Sequence, residues 1–349
     1  MKLTPKVRFG MEAFRFVWSK LANRTFPHAL QYNINFDCNK RCTYCAIYED
    51  KRKEMSTQSA FKMIDEFAKM GTTRLSITGG EPLLRKDLGE IIDHAHKRRM
   101  LVSVHTNGSI VPKRGHLVEN ADFINMTLDG PREINDSQRG AGTFDAVISA
   151  AKLFRKKGIP VNLVTVITKN NCHCVSELVQ MAKDLDVTLL MQPVFYSEPS
   201  HANDLEGYKQ VKYEKSQIIR TIDEILELKR SGEESIILSE RYYLKVKESI
   251  IKDESIMCVN GGTSFVTVSP DGRVTPCNLL VRDYKWKKGD EIGYSKAYQE
   301  MPEIKCGGCI SSFIDIDYLY SFKPDVFWNY YRSYFRLFRW KNSKALNSA

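Results

Sequence analysis

Cys38-Asn39-Lys40-Arg41-Cys42-Thr43-Tyr44-Cys45 sets three thiols at C-x3-C-x2-C spacing, directly after an apolar run from Tyr32 to Phe36 that reads as a strand. Thiolates are the usual ligands of iron–sulfur clusters, and clusters that only carry electrons are generally closed by four of them. Three cysteines leave one iron of a cubane open to a small molecule that is bound and acted upon there. A zinc knuckle or three buried free thiols are the other readings. Structural zinc wants four ligands, typically as separated pairs, and no suitable fourth ligand is close in the sequence. The open cluster is the better reading.

Elements that could position such a site follow in regular alternation from Ala29 to about Val194. Apolar, β-rich runs fall at Leu30–Phe36, Arg74–Thr78, Leu101–Thr106, Phe123–Leu128, Val161–Ile167 and Thr188–Val194. Helical patterns separate them at Thr57–Met70, Asp87–Arg99, Val111–Glu119, Thr143–Lys157 and Ser176–Leu185. Such alternation means a parallel sheet with crossover helices. Six units are too few for a closed eight-stranded barrel, so a partial (β/α)6 TIM-type barrel is expected, with functional groups at the C-terminal ends of its strands. The cysteine loop falls at the end of the first strand. The second ends in Thr78-Gly79-Gly80-Glu81-Pro82, where glycines let a backbone approach a ligand and Glu81 adds a carboxylate acceptor suited to an ammonium. The third ends in His105-Thr106-Asn107-Gly108 and the fourth in Thr127-Leu128-Asp129-Gly130-Pro131. Asn135 to Gly140 then reads as a loop, in which Arg139 could pair with a carboxylate.

This ordered set resembles the radical S-adenosylmethionine (SAM) superfamily over about residues 29 to 200. The resemblance implies that Cys38, Cys42 and Cys45 ligate a [4Fe–4S] cluster whose fourth iron chelates the amino and carboxylate groups of SAM. It implies further that Gly79, Gly80 and Glu81 hold the SAM amino group and that Arg139 meets its carboxylate. Thr106, Asn107 and Thr127 would face the ribose and Tyr44 the adenine. Asp129 is the one candidate for a catalytic group on the substrate side.

Four further cysteines lie near the C-terminus. Phe265 to Val274 reads as a hairpin with Pro270-Asp271-Gly272 as its turn, which brings Cys258 and Cys277 together, and Cys306-Gly307-Gly308-Cys309 adds a chelating pair. Four thiolates saturate either zinc or a second [4Fe–4S] cluster, and spacing slightly favours zinc. Gly272 followed by Cys277 and a later pair is similar to the SPASM/Twitch extension, which implies one auxiliary [4Fe–4S] cluster with no open iron. Cys172 and Cys174 read as free thiols. The expected domains are an amphipathic extension at 1–27, the barrel at 28–200, a helical connector at 201–252, a small C-terminal α+β cluster-binding domain at 253–315, and an aromatic, basic tail at 316–349.

Hydrophobic content of 42% and charged content of 27% in 349 residues fit a folded soluble protein. Nine cysteines with no secretory leader point to metal or catalytic roles in a reducing cytoplasm. A net charge of +10 calls for an acidic partner, such as a flavodoxin or ferredoxin donor or an anionic membrane surface. No basic run carries a nucleic-acid signature, so nucleic acid is not expected. Val7, Met11, Phe14, Trp18 and Leu21 share helical spacing and fit either a helix packed on the main domain or one lying on a membrane. The tail poses the same choice: Pro324 starts a helix whose Phe327, Tyr331, Tyr334, Phe335 and Phe338 either cover the barrel mouth or meet a membrane.

The expected activity is reductive cleavage of SAM to a 5′-deoxyadenosyl radical that takes hydrogen from a substrate C–H, with the auxiliary cluster assisting oxidation or bond formation. The substrate is a small molecule, a peptide or a lipid, and the short extension before the barrel weighs against a peptide. A non-catalytic iron–sulfur or zinc sensor is the alternative. The location expected is the cytoplasm, with peripheral attachment at the inner membrane surface a further option.

Overall fold

The computed structural model describes residues 4–22, 25–195, 205–281, 283, 285–302 and 309–339. In chain order the first half runs α1 (Pro5–Leu21), β1 (Ala29–Asn35), α2 (Thr57–Met70), β2 (Arg74–Gly79), α3 (Leu88–Lys97), β3 (Leu101–Thr106), α4 (Val111–Arg114), β4 (Phe123–Thr127) and α5 (Arg132–Arg139). There follow α6 (Thr143–Lys156), β5 (Val161–Ile167), α7 (Val175–Asp184), β6 (Thr188–Pro193), α8 (Leu205–Val211), α9 (Lys215–Arg230) and α10 (Glu240–Lys252). The last part holds β7 (Phe265–Val268), β8 (Val274–Thr275), α11 (Gly289–Ile292), α12 (Tyr294–Gln299), α13 (Phe313–Tyr320) and α14 (Pro324–Arg339).

The sheet order is β6-β5-β4-β3-β2-β1-β7-β8, parallel from β6 through β7. The six expected strands form, and the hairpin β7–β8 extends the same sheet beyond β1. The mixed α/β fold is thus a partial barrel with a C-terminal addition continuous with it. On one face of the strands Leu30, Tyr32, Ile34, Leu75, Ile77, Val102 and Val104 are fully buried against Met63, Ile64, Phe67, Ile91 and Ile92 of α2 and α3. Burial on this scale supplies the driving force for closing each βα unit.

Side chains alternate along a strand, and the opposite face is polar. His105, Asn125, Asn162 and Thr188 stand in register across four strands. Thr188 Oγ1 donates to Asn162 Oδ1 at 3.0 Å, and Asn162 Nδ2 to Asn125 Oδ1 at 3.0 Å. Asn125 Nδ2 then lies 3.2 Å from His105 Nε2, with Ser76 Oγ at 3.2 Å on its other side. The amide orientations make Nε2 an acceptor, so a proton there would face a donor.

The floor of the barrel, at the N-terminal ends of the strands, is closed by the two chain ends. Arg8 of α1 pairs with buried Asp122, which also accepts the Val102 N–H at 2.8 Å. Arg74 reaches Glu12 at 3.0 Å. Phe9 packs with Leu101, Phe123, Tyr330 and Tyr331, and Phe16 with Phe265, Tyr320 and Phe327. Two expectations change here. The α1 residues that pack are Arg8, Phe9, Glu12, Phe16 and Ser19, whereas Val7, Phe14, Trp18 and Leu21 face outward. Sequence periodicity followed the more apolar stripe, but the floor selects the face whose arginine and glutamate meet buried partners. The aromatic tail likewise covers the floor and not the mouth; the side chains of Tyr334, Phe335 and Phe338 lie outside the described residues.

Burial pushes the imidazole of His105 from its ordinary 6.5 down to about 4. The unfolded chain therefore binds the proton first, and stability present above pH 6.5 declines as the pH falls toward 4. The loss is up to about 3 kcal/mol. Urea melts of the parent and His105→Gln between pH 7 and 4 will show a shallower acid slope in the variant.

Candidate active site

β1 runs directly into the cysteine loop, and the register slip between Asn33 and Asn35 re-aims the chain there. The loop closes on itself through Cys45 N–H to Cys42 O at 3.1 Å and Arg41 Nη1 to Cys38 O at 2.7 Å, and Thr43 N–H reaches Gln138 O at 3.0 Å. All three thiols are half-buried. Burial raises Cys38 and pushes Cys45 up to about 11, and each also feels the charge of Cys42.

Gly79 and Gly80 lie flat against the start of that loop. Gly80 N–H donates to Asn35 O at 3.0 Å and Glu81 N–H to Asp37 O at 2.8 Å. A Cβ on Gly79 would stand 2.2 Å from Asn35 O, and one on Gly80 2.1 Å from Asp37 O, so only glycine allows this approach. Glu81 differs from expectation. It is fully buried, its Oε1 accepts from Leu83 N at 3.0 Å and Thr106 Oγ1 at 2.8 Å, and its Oε2 accepts from Asn107 N at 2.7 Å. Its side chain therefore staples the end of β2 to the end of β3. Asn107 Nδ2 donates to Asn39 Oδ1 at 2.9 Å and lies 3.9 Å from Cys38 Sγ.

Across the rim, Arg139 sits in the last turn of α5, where a loop was expected. The segment's polarity hid the helix: Asn135, Gln138 and Arg139 are its buried residues, and they face inward by hydrogen bonding rather than by apolar contact. Arg139 Nη1 donates to Asp129 Oδ2 at 3.0 Å and to Tyr44 Oη, while Tyr44 Oη donates to Asp129 Oδ2 at 2.6 Å. Asp129 Oδ1 accepts from Val166 N at 2.9 Å. Fully buried, Asp129 anchors Arg139 and Tyr44 and is not open to a substrate. Thr127 is half-buried at the end of β4.

Three buried polar atoms beside the loop, Asn35 Oδ1, Thr43 Oγ1 and Gln138 Nε2, have no hydrogen-bond partner. Buried orphans of this kind cost free energy that a polar ligand would recover. Together with the glycine cradle and the shared thiol loop, they fit a cluster and an amino-acid cofactor on this rim. Among the described residues no three His, Cys, Asp or Glu side chains yet converge as a metal cage. The thiolate, not the thiol, is the metal ligand, so ligation here would have to draw the protons from the burial-raised thiols of Cys38 and Cys45. Asn35 and Gln138 were missed in the sequence, although Gln31, Asn33 and Asn35 recur at period two.

In the C-terminal part, Cys258 and Cys277 pack against the Phe16, Phe265 and Tyr320 cluster. Cys258 Sγ lies 3.3 Å from Asp317 Oδ1, and Cys309 N–H donates to Ile256 O at 3.2 Å. Asn278, next to Cys277, accepts from Asn33 Nδ2 of β1 at 2.8 Å. Cys306 lies outside the described residues. Cys172 and Cys174 stand away from this group; Cys172 Sγ approaches Lys169 O at 3.4 Å and Cys174 is buried at the start of α7.

Comparison with known proteins matches residues 32–182 to the radical SAM superfamily. The chain carries a radical SAM domain. That superfamily uses a [4Fe–4S] cluster and SAM, and the domain boundaries enclose Cys38, Cys42, Cys45, Gly79 to Glu81 and Arg139. Mycofactocin maturase MftC of Mycolicibacterium smegmatis is 31% identical over 170 residues, covering 47% of this chain and 43% of that protein. The chain thus matches less than half the length of that relative. The cysteine-type anaerobic sulfatase-maturating enzyme of Clostridium perfringens is 28% identical over 284 residues, covering 72% of this chain and 74% of the enzyme. Streptococcus suis SuiB, solved bound to precursor peptide SuiA, superposes with a TM-score of 0.63 at 17% identity over 82% of this chain and 68% of SuiB, a likeness of fold.

Gly80→Ala forces two backbones apart in the radical SAM domain, with an expected loss of about 3 kcal/mol. Urea denaturation of the variant beside Gly10→Ala, where nothing lies within 4 Å of an added Cβ, checks this.

Proposed function

We propose that this chain is a radical SAM enzyme acting on a peptide or protein substrate in the reducing cytoplasm, with an auxiliary cluster held by Cys258, Cys277, Cys306 and Cys309. The observation that carries the reading is the convergence of the cysteine loop, the Gly79–Gly80 cradle and Arg139 on one rim of a radical SAM domain. When bound, the reduced cluster would give one electron to SAM, whose cleavage to methionine would supply a 5′-deoxyadenosyl radical able to take hydrogen from a substrate carbon.

The chain's own residues supply position. Cys38, Cys42 and Cys45 would hold the cluster. Backbone carbonyls of the Gly79–Gly80 turn would receive the SAM ammonium, and Arg139, fixed by Asp129, would receive its carboxylate. Thr106 and Asn107, tied to Glu81, would lie on the ribose side with Thr127, and Tyr44 would border the adenine. A net charge of +10 suits an acidic flavodoxin or ferredoxin as donor. Alignment over 72% of the chain with a relative named for maturing a sulfatase supports a peptide or protein substrate.

Anaerobically reconstituted protein given dithionite and SAM will form 5′-deoxyadenosine. Replacing Cys38, Cys42 and Cys45 by alanine will abolish it and remove about four of about eight irons. Replacing Cys258 and Cys277 will lower iron while 5′-deoxyadenosine persists. Fully loaded parent protein that leaves SAM intact would return the chain to the sensor reading.

A further inference from the structure

Helix α1 is apolar on two opposite faces, and the barrel floor uses only one. At about 100° per residue, Val7, Met11, Phe14, Trp18 and Leu21 form a single stripe on the side away from Phe9, Glu12 and Phe16. Val7 and Trp18 are each 45% exposed, Phe14 71% and Leu21 82%. Exposed apolar residues scattered singly are ordinary, but a contiguous row of large ones marks an interaction surface.

The charges beside the stripe have one sign. Lys6 and Arg15 are exposed, whereas the helix's single acid, Glu12, is buried and paired with Arg74 at 3.0 Å. No described helix is long and apolar enough to cross a membrane, so lipid contact here would be in the plane of the surface. An apolar face with tryptophan and basic flanks is the pattern of a helix that lies in an anionic interface. Pairing of two copies through the same stripe would instead bring Lys6 and Arg15 of each helix together with no exposed acid on either helix to meet them.

We propose that α1 docks this protein on an anionic lipid surface, with Val7, Met11, Phe14, Trp18 and Leu21 in the headgroup–acyl boundary and Lys6 and Arg15 among the headgroups. The floor then faces the membrane, and the cysteine loop, at the opposite end of the strands, opens to the aqueous side. A substrate and a soluble electron donor can both reach the rim while the protein is bound. This inference stands on α1 and does not depend on the chemistry of the rim.

The test is flotation of the full-length, cluster-loaded protein with vesicles of phosphatidylcholine alone or with about three in ten phosphatidylglycerol. The expected result is at least about tenfold more protein floating with the anionic vesicles, and a loss of about tenfold or more in Phe14→Glu/Leu21→Glu and in Arg15→Glu. Both variants change exposed side chains, and matching thermal melts by circular dichroism confirm that they fold. Equal recovery with neutral vesicles, no flotation at all, or full flotation of Phe14→Glu/Leu21→Glu would overturn the proposal. A parent dimer in sedimentation analysis that becomes monomeric in that double variant, without flotation of the parent, would also overturn it and assign the stripe to a second copy.

Discussion

The carboxylate of Asp129 is the interaction on which the candidate site depends. An isolated ionised carboxylate with no solvent exposure is costly to bury. This one is satisfied by donors from three separate segments: Tyr44 of the cysteine loop, Arg139 of α5 and the Val166 N–H of β5. Its backbone is held too, with its N–H donating to Asn135 Oδ1 at 3.0 Å and its carbonyl accepting from Asn171 Nδ2 at 2.8 Å. Opposite it, Glu81 ties the ends of β2 and β3 together, while Asn35 Nδ2 donates to the Glu81 carbonyl at 2.8 Å. Two buried carboxylates thus hold the rim from its two sides, and the thiol loop hangs between them.

A polarity runs through the whole molecule. The mouth is polar and carries the loops that would meet cofactors; the floor is aromatic and sealed by α1 and α14. Between them the wall is a row of hydrogen-bonded side chains from Thr188 to Ser76. Because β7 pairs directly with β1, the hairpin between Cys258 and Cys277 shares a sheet with the strand that leads into the first cysteine loop. Asn278 beside Cys277 touches Asn33, five residues before Cys38. Phe16, Phe265 and Tyr320 pack against Cys258 and Cys277, so the helix that closes the floor also covers these two thiols.

Much of this was legible in the sequence. The six barrel strands were readable because both faces had to satisfy a period of two, with helical spacing between them. The cysteine spacing and the double glycine announced a ligand site because few other structures require them. What stayed hidden had physical causes. Helix α5 is built from Asn135, Gln138 and Arg139 facing inward, a pattern that apolar periodicity cannot register. Glu81 and Asp129 looked like groups that meet a ligand, since nothing local shows that a carboxylate will be spent on backbone and arginine donors from distant strands. The orientation of α1 stayed open in the sequence because its more apolar stripe is the one left outside; the buried stripe is chosen by Arg8 and Glu12 finding Asp122 and Arg74.

The central claim is that Asp129 positions Arg139 and Tyr44 for an amino-acid cofactor on the rim, and SAM affinity tests it most directly. Asp129→Asn keeps the size of the side chain and removes its charge. In anaerobically reconstituted protein it should retain the parent's iron content, while titration followed by the change in the reduced cluster's electron paramagnetic resonance signal shows SAM binding at least about tenfold weaker. Parent-like SAM affinity in an iron-replete Asp129→Asn protein would contradict the account.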